Sequence, residues 1–385
     1  MTARLAAVAL LLGNFVTGLA VLAPAGMLSE LASGLAVTIR DAGLLVTYGA
    51  VVLCVGAPLM AWATSRIERR TLLVVTLAIL ALGHLASALA PNYATLLALR
   101  LVMLAVAALF TPQAASTIAS IVPEKERASA IAFVFLGWSL AIATGLPLVT
   151  FMAAHVGWRA AYGALAAIAA VGLVLLAIGV PRGLKGAAVS LQSWGRIARN
   201  PLIVLLLLIT ALLLSGQFVL FTYLGPLLAT LAGAGPQAIG ICFALYGIAG
   251  FVGNVIATRV VTALGVRATS LICILAMVLG ALTWSAGAGA LPVMGAGVTL
   301  VGLGFAAANS MQQARLVAAA PELASATVAL NTSSIYVGQA LGSWLGGVLF
   351  ARELALAMGY ATTAFLFAAL VVLAFTWRKR SAKSL

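Results

Sequence analysis

Residues 201–231 read PLIVLLLLITALLLSGQFVLFTYLGPLLATL, an unbroken run without one acidic or basic side chain. A helix that crosses a bilayer needs about 20 predominantly apolar residues, and this run exceeds that. Runs of the same kind lie on both sides of it. With breaks placed at charges, prolines and glycines, they give spans at 5–28, 42–63, 71–90, 95–121, 128–152, 159–180, 201–231, 237–258, 268–287, 291–317, 324–350 and 354–377. Their length and continuity predict helices rather than barrel strands, which would alternate polar and apolar residues. The expected fold class is an all-α membrane protein with twelve transmembrane helices.

Composition points the same way. Of 385 residues, 64% are hydrophobic and 7% charged, whereas a soluble domain carries about 25% charged residues. Such a chain cannot cover a water-facing surface. Its 38 glycines against 12 prolines suit closely packed membrane helices rather than a disordered polymer. A soluble enzyme, a disordered protein and a secreted disulfide scaffold are excluded. Cys54, Cys242 and Cys273 each lie inside an apolar run and read as small packing residues without metal-ligand spacing. Met1 to Leu28 has the outline of a signal peptide, but its apolar run is too long for a usual h-region and reads as the first span.

The net charge of +14 sits in short clusters between spans rather than along one basic stripe, which argues against a nucleic-acid partner. With the N-terminus placed in the cytoplasm, the inner side collects seventeen Lys and Arg. These are Arg4, Arg66, Arg69, Arg70, Lys125, Arg127, Arg182, Lys185, Arg196, Arg199, Arg259, Arg267, Arg315, Arg378, Lys379, Arg380 and Lys383. The outer side has three, Arg40, Arg159 and Arg352, and Arg100 lies within a span. This asymmetry places both termini in the cytoplasm. Attraction to anionic lipid follows as a by-product.

The chain divides into two groups of six spans, residues 1–180 and 201–385, joined by a basic connection at 181–200 containing Gly183, Gly186, Ser190 and Ser193. The halves share local sequence. Gly56 and Arg70 match Gly253 and Arg267 at one offset of 197, and Pro123-Glu124 before Ala128-Ser129-Ala130 matches Pro321-Glu322 before Ala324-Ser325-Ala326. Two such matches in order indicate duplication. Two parallel six-helix repeats with a midplane site between them form a known transporter arrangement.

At these residues the chain resembles the major facilitator superfamily, in particular its drug:proton antiporter branch, and within that the bacterial sugar-efflux transporters. The signature loop after the second span stands as Gly56-Ala57-Pro58 through Thr64-Ser65-Arg66-Ile67-Glu68-Arg69-Arg70, and the fourth-helix arginine as Arg100. The antiporter motif runs from Gly137 to Gly145-Leu146-Pro147, followed by Gly157-Trp158-Arg159. Phe221-Thr222-Tyr223-Leu224-Gly225-Pro226, Gly253-Asn254 and Ala329-Leu330-Asn331-Thr332-Ser333 are similar to second-half motifs. Ser65 stands where the loop usually has aspartate, Thr262-Ala263 where its second copy has Asp-Arg, and Val21 near where relatives tend to carry glutamate. The resemblance implies a monomeric transporter that moves its solute against protons.

Polar groups within spans are costly and are functional candidates by default. All seven acids, Glu30, Asp41, Glu68, Glu124, Glu126, Glu322 and Glu353, lie near span ends or in loops. That excludes a carboxylate metal centre and disfavours cationic solutes, whose desolvation nothing in a cavity would offset. No metal or other cofactor is expected.

The candidate solute-binding groups are Asn14, Thr17, Arg100, Thr111, Gln113, Gln217, Tyr223, Asn309, Gln313, Asn331, Tyr336 and Gln339. Asn14, Thr17 and Gly18 share a helical face, as do Asn309, Gln312 and Gln313, and Thr332, Tyr336 and Gln339. Gln217 and Tyr223 flank a break expected at Gly225-Pro226. Helix-to-helix bonding accounts for part of these groups; the rest suit a neutral cavity for sugars, nucleosides or amphenicol-like molecules. Arg100 reads either as a structural arginine satisfied by carbonyls or as a cavity-edge residue. With Thr111 it would form a polar track down the fourth span.

Glu30, Asp41 and His84 are the proton-coupling candidates. Their alternative readings are solvated loop acids, a helix cap at Asp41, and a packed histidine. Gly145 and Pro147 should kink the fifth span. Arg66, Arg69 and Arg70 would latch onto Glu124 or Glu126. The function expected is export of a small organic solute from the bacterial inner membrane by alternating access. A coupling-free facilitator or importer is the first alternative, and a non-transporting sensor or assembly factor the second.

Overall fold

The computed structural model describes residues 2–64, 66–184, 199–320 and 324–381. Ser65, Lys185, Gly186, Ser190, Ser193, Arg196, Pro321, Glu322 and Lys383, named above, lie outside the described residues. The described residues form helices and no strand. In chain order they are α1 (Thr2–Gly26), α2 (Leu28–Gly34), α3 (Ile39–Ala63), α4 (Arg69–Ala88), α5 (Tyr93–Ala107) and α6 (Phe110–Ile121). There follow α7 (Arg127–Leu140), α8 (Leu146–His155), α9 (Trp158–Gly179), α10 (Pro201–Phe221) and α11 (Leu224–Ala232). The last four are α12 (Pro236–Ala286), α13 (Leu291–Ala319), α14 (Ala324–Ala351) and α15 (Ala355–Ser381).

Among the described residues, eleven stretches are long and apolar enough to cross a membrane. The expected separate spans at 237–258 and 268–287 are joined in α12, whose 51 residues would reach about 77 Å if straight, far more than one bilayer. The helix turns instead at Gly265, with φ 76° and ψ 164°. Left-handed φ favours glycine, so the loop expected at 259–267 shrinks to one residue. Both arms then lie on the same stretch of α13. Gly302 sits against the Tyr246 carbonyl of the first arm, and Gly304 against the Cys273 carbonyl of the second. The twelve expected crossings are thereby accounted for.

Proline sets the other breaks, because it removes the donor for the carbonyl four residues back. Pro226 deprives Thr222, and α10 stops at Phe221 before α11 restarts at Leu224. Tyr223 therefore lies in the break rather than before it. Pro24 does the same near the end of α1, so the first helix of each half loosens at its far tip. Pro147 follows a widened π-type turn at Ala141–Gly145 between α7 and α8, which is the kink expected there. The fourth span is interrupted at Ala108-Leu109 between α5 and α6.

Within the first half, α1 packs on α7 and α9, α4 on α9, and α3 on α5; within the second, α10 packs on α14 and α15, and α12 on α13. Between the halves, α3 lies along α14, and α12 lies against α8 and the turn before it.

Candidate functional site

The first polar cluster grows from Pro24. Its missing N–H leaves the Ala20 carbonyl without a helical donor. Arg100, on α5 and 1% exposed, supplies one. Its Nη1 donates to the Ala20 carbonyl at 2.7 Å, Nη2 to Val21 at 2.7 Å and Nε to Leu45 at 2.8 Å. The guanidinium ties α1, α3 and α5 together, and its partners are neutral carbonyls, one of them at Val21. The planar fork of donors suits such a clamp. This is the structural arrangement of the two foreseen for Arg100.

Further along, Thr111 donates to Asn14 Oδ1 at 2.8 Å and accepts from Trp138 Nε1 at 3.0 Å, while Asn14 Nδ2 donates to the Val134 carbonyl at 3.0 Å. Thr17 bonds back to the Gly13 carbonyl. Arg100 and Thr111 thus both face α1, but their polar atoms and those of Asn14 and Thr17 are spent inside the first half. Gln113 is half-buried on α6. Trp138, absent from the sequence candidates, closes this chain; its indole N–H within a span was the available signal.

Among the sequence candidates of the second half, four keep a buried polar atom without a partner. Gln217 Nε2 donates to the Tyr246 hydroxyl, but its Oε1 is buried without a partner, beside a void of about 30 Å³ also lined by Phe221 and Trp284. Asn331 Oδ1 accepts from Thr210 at 2.7 Å, leaving Nδ2 unpartnered. Asn309 Nδ2 donates to Phe305, leaving Oδ1 unpartnered, and Gln339 Nε2 has no partner either. A buried polar atom left dry costs roughly 1–3 kcal/mol, so each of these donors and acceptors retains unused hydrogen-bonding capacity. Gln313 is half-buried, Gln312 turns inward to the Leu206 carbonyl, and Tyr336 is buried. Thr210 and Tyr246 were not among the sequence candidates.

The halves meet along α3 and α14, from near the end opposite the chain termini to past mid-span. Thr47 Oγ1 donates to Ser343 Oγ at 3.0 Å, and Ser333 Oγ to the Cys54 carbonyl at 3.2 Å. The buried Tyr223 reaches between Gly43 and Gly347, with its ring stacked on Phe350 at 5.7 Å. Gly247 of α12 lies directly on the Ala143 backbone, leaving no room for a Cβ.

At the terminal end, the arginines expected as a latch turn elsewhere. Arg69 Nη1 donates to the Ser116 carbonyl at 2.8 Å, Arg70 Nη2 bonds the Ala177 carbonyl, and Arg66, Glu124 and Glu126 are exposed. The carbonyls at the ends of α6 and α9 are nearer acceptors than the acids. Glu68 instead accepts from Thr71 and the Gly183 N–H; these two bonds hold its carboxyl below the ordinary range. Gly56 approaches the Ala105 carbonyl, and Gly253 presses on Leu303 so closely that a Cβ would collide with its carbonyl. Arg267 opens the second arm of α12.

Of the coupling candidates, Glu30 is half-buried on α2, and burial pushes its carboxyl up. Asp41 is not the cap of α3. The helix begins earlier, Thr38 caps it by accepting from the Asp41 N–H, and Asp41 Oδ2 accepts from the Thr38 hydroxyl at 2.7 Å. His84 is completely enclosed against Tyr162, and neither ring nitrogen has a partner. Among the described residues no group of His, Cys, Asp and Glu is placed to hold a metal ion.

Comparison with known proteins adds to this geometry. Residues 10–235 match the Major Facilitator Superfamily. The chain is 33% identical to the uncharacterised MFS-type transporter YtbD of Bacillus subtilis, over 89% of this chain and 88% of that one. It is 30% identical to the inner membrane transport protein YdhP of Escherichia coli, covering 90% and 89%. A probable sugar efflux transporter of Mannheimia succiniciproducens is 26% identical, covering 92% and 88%. Among solved structures, a D-xylose-proton symporter superposes with a TM-score of 0.75 at 15% identity, covering 97% of each chain.

Proposed function

The chain belongs to the Major Facilitator Superfamily, and on that premise we propose that it exports a small neutral or amphiphilic organic solute by alternating access, driven by proton antiport. As a multi-pass membrane transporter of small solutes it is not an enzyme. The moving bodies of the proposal are residues 1–180 and 201–385, joined by 181–200, within one monomer of the bacterial inner membrane. The observation that carries it is the seam of neutral hydrogen bonds between the halves, Thr47–Ser343 and Cys54–Ser333, which can part and re-form as the halves move. With both termini in the cytoplasm, as the seventeen-to-three asymmetry of basic residues supports, Thr47–Ser343 lies towards the outer side and Cys54–Ser333 nearer mid-span.

The unpartnered amides of Gln217, Asn309, Asn331 and Gln339 support an uncharged, hydrogen-bonding solute. The efflux direction and the drug:proton antiporter branch rest on resemblance to relatives such as the probable sugar efflux transporter. One observation favours the coupling-free facilitator or importer instead: Val21, where relatives tend to have an acid, gives its carbonyl to Arg100. Counterflow in proteoliposomes, with sugars, nucleosides and amphenicols, tests the solute class; no exchange of any neutral solute would refute it. An imposed pH gradient separates the drives, since equilibration that ignores the gradient would establish the facilitator. Reporter fusions at Leu385 and after Ala188 should both report the cytoplasm, and a periplasmic signal from either would overturn the orientation.

A further inference from the structure

Away from the space between the halves, the second half holds a recess of its own at the terminal end. It measures about 370 Å³, within the range of small-molecule sites, and lies between the ends of α10, α13 and α15 and the Gly265 turn of α12. Two arginines line it, Arg267 and Arg315. Arg315 is 9% exposed; its Nη1 donates to Gln312 Oε1 at 2.8 Å and its Nη2 to Thr376 Oγ1 at 2.6 Å. Both acceptors are themselves anchored, Gln312 donating to the Leu206 carbonyl and Thr376 to that of Leu373. This network aims the guanidinium without neutralising it. Arg267 is half-buried and makes no side-chain hydrogen bond among the described residues.

No described carboxylate lines the recess; Glu322, the acid nearest Arg315 in sequence, lies outside the described residues. Two like charges sharing a recess repel each other unless an anion joins them. The break at Gly265 adds the positive end of the helical arm that starts there. The remaining lining, including Leu202, Leu206 and Ala318, is apolar.

We propose that this recess binds a phosphate group not offset by a cation of its own, carried either by an anionic lipid of the adjoining leaflet or by free phosphate from the aqueous side. Arginine's planar fork matches phosphate oxygens, and basic pockets between membrane helices are suited to anionic head groups. The site lies outside the solute path proposed above.

The test uses the purified full chain, titrated separately with phosphatidylglycerol, phosphatidylcholine and inorganic phosphate while binding and thermal midpoint are followed. Phosphatidylglycerol or inorganic phosphate should bind and raise the midpoint, and phosphatidylcholine should do neither; whichever of the first two acts identifies the source. Arg267→Gln, whose side chain makes no described bond to lose, should weaken binding about fivefold or more. Arg315→Lys, which keeps charge but loses the fork, should weaken it as well. Equal responses to both lipids with none to phosphate, or unchanged affinity in Arg267→Gln, would overturn the proposal. So would binding that appears only in Glu322→Gln, because the chain's own acid would then fill the recess.

Discussion

Arg100 and Pro24 form a pair whose energetics are open to a double-mutant cycle. In Arg100→Ala the Val21 and Leu45 carbonyls keep their helical donors, whereas Ala20 loses its sole partner because Pro24 has no N–H. The orphaned carbonyl costs about 1–3 kcal/mol, and truncating a large enclosed side chain adds about 2–5 kcal/mol. Relief of the guanidinium's own burial offsets part of this. In Pro24→Ala a backbone N–H returns to Ala20, so the orphan term vanishes from the second mutation. Arg100→Ala should then cost about 1–3 kcal/mol less on the Pro24→Ala background than in wild type. Reversible unfolding of the four proteins in detergent measures the coupling. Additivity within about 0.5 kcal/mol would refute the claim that Arg100 is held in place to serve the proline break.

Four further outcomes are expected. Because burial raises the Glu30 carboxyl, the native state holds that proton more tightly than the unfolded chain; wild-type stability relative to Glu30→Gln should rise as pH falls through the raised value, checked by thermal midpoints across a pH series. If one of the coupling candidates carries the proton, Glu30→Gln, Asp41→Asn or His84→Gln should abolish gradient-driven export while sparing exchange, and an intact response in all three would place the carrier elsewhere. Thr47→Cys with Ser343→Cys, in a chain whose Cys54, Cys242 and Cys273 are replaced, should lose transport on oxidation and regain it on reduction. Gly253→Ala forces a methyl onto the Leu303 carbonyl and should lower stability by about 1–3 kcal/mol in a denaturant titration.

Hydrophobic runs made the crossings legible because lipid imposes length and polarity on every span at once. The 259–267 loop was misplaced because Arg259 and Arg267 read as loop charges, although a helix can carry both where it leaves the bilayer. The kinks were readable at Pro147 and Pro226, but displaced along the chain, since proline acts on the carbonyl four residues earlier. The partners of Arg100 were hidden for a related reason: carbonyls exist at every residue, and only the spacing from Ala20 to Pro24 marks one as free. Asn14 and Thr111 were recognised as polar groups on helix faces, yet spacing along a helix cannot say whether a face meets a neighbour or a cavity. Trp138, far away in sequence, supplies the third member of that chain.

The bonds that join the halves at Thr47–Ser343 and Ser333–Cys54 connect uncharged groups. When such bonds part, water takes both partners, and the net loss per bond is only about 0.5–1.5 kcal/mol. In the alternating-access cycle proposed above, a gate fastened this way would have little bias of its own and little sensitivity to ionic strength. The occupant therefore tips the balance: a solute that engages more of the unpartnered amides in one arrangement than in the other moves the whole equilibrium by that difference. Turnover should thus follow the hydrogen-bonding capacity of the cargo more closely than the salt content of the medium.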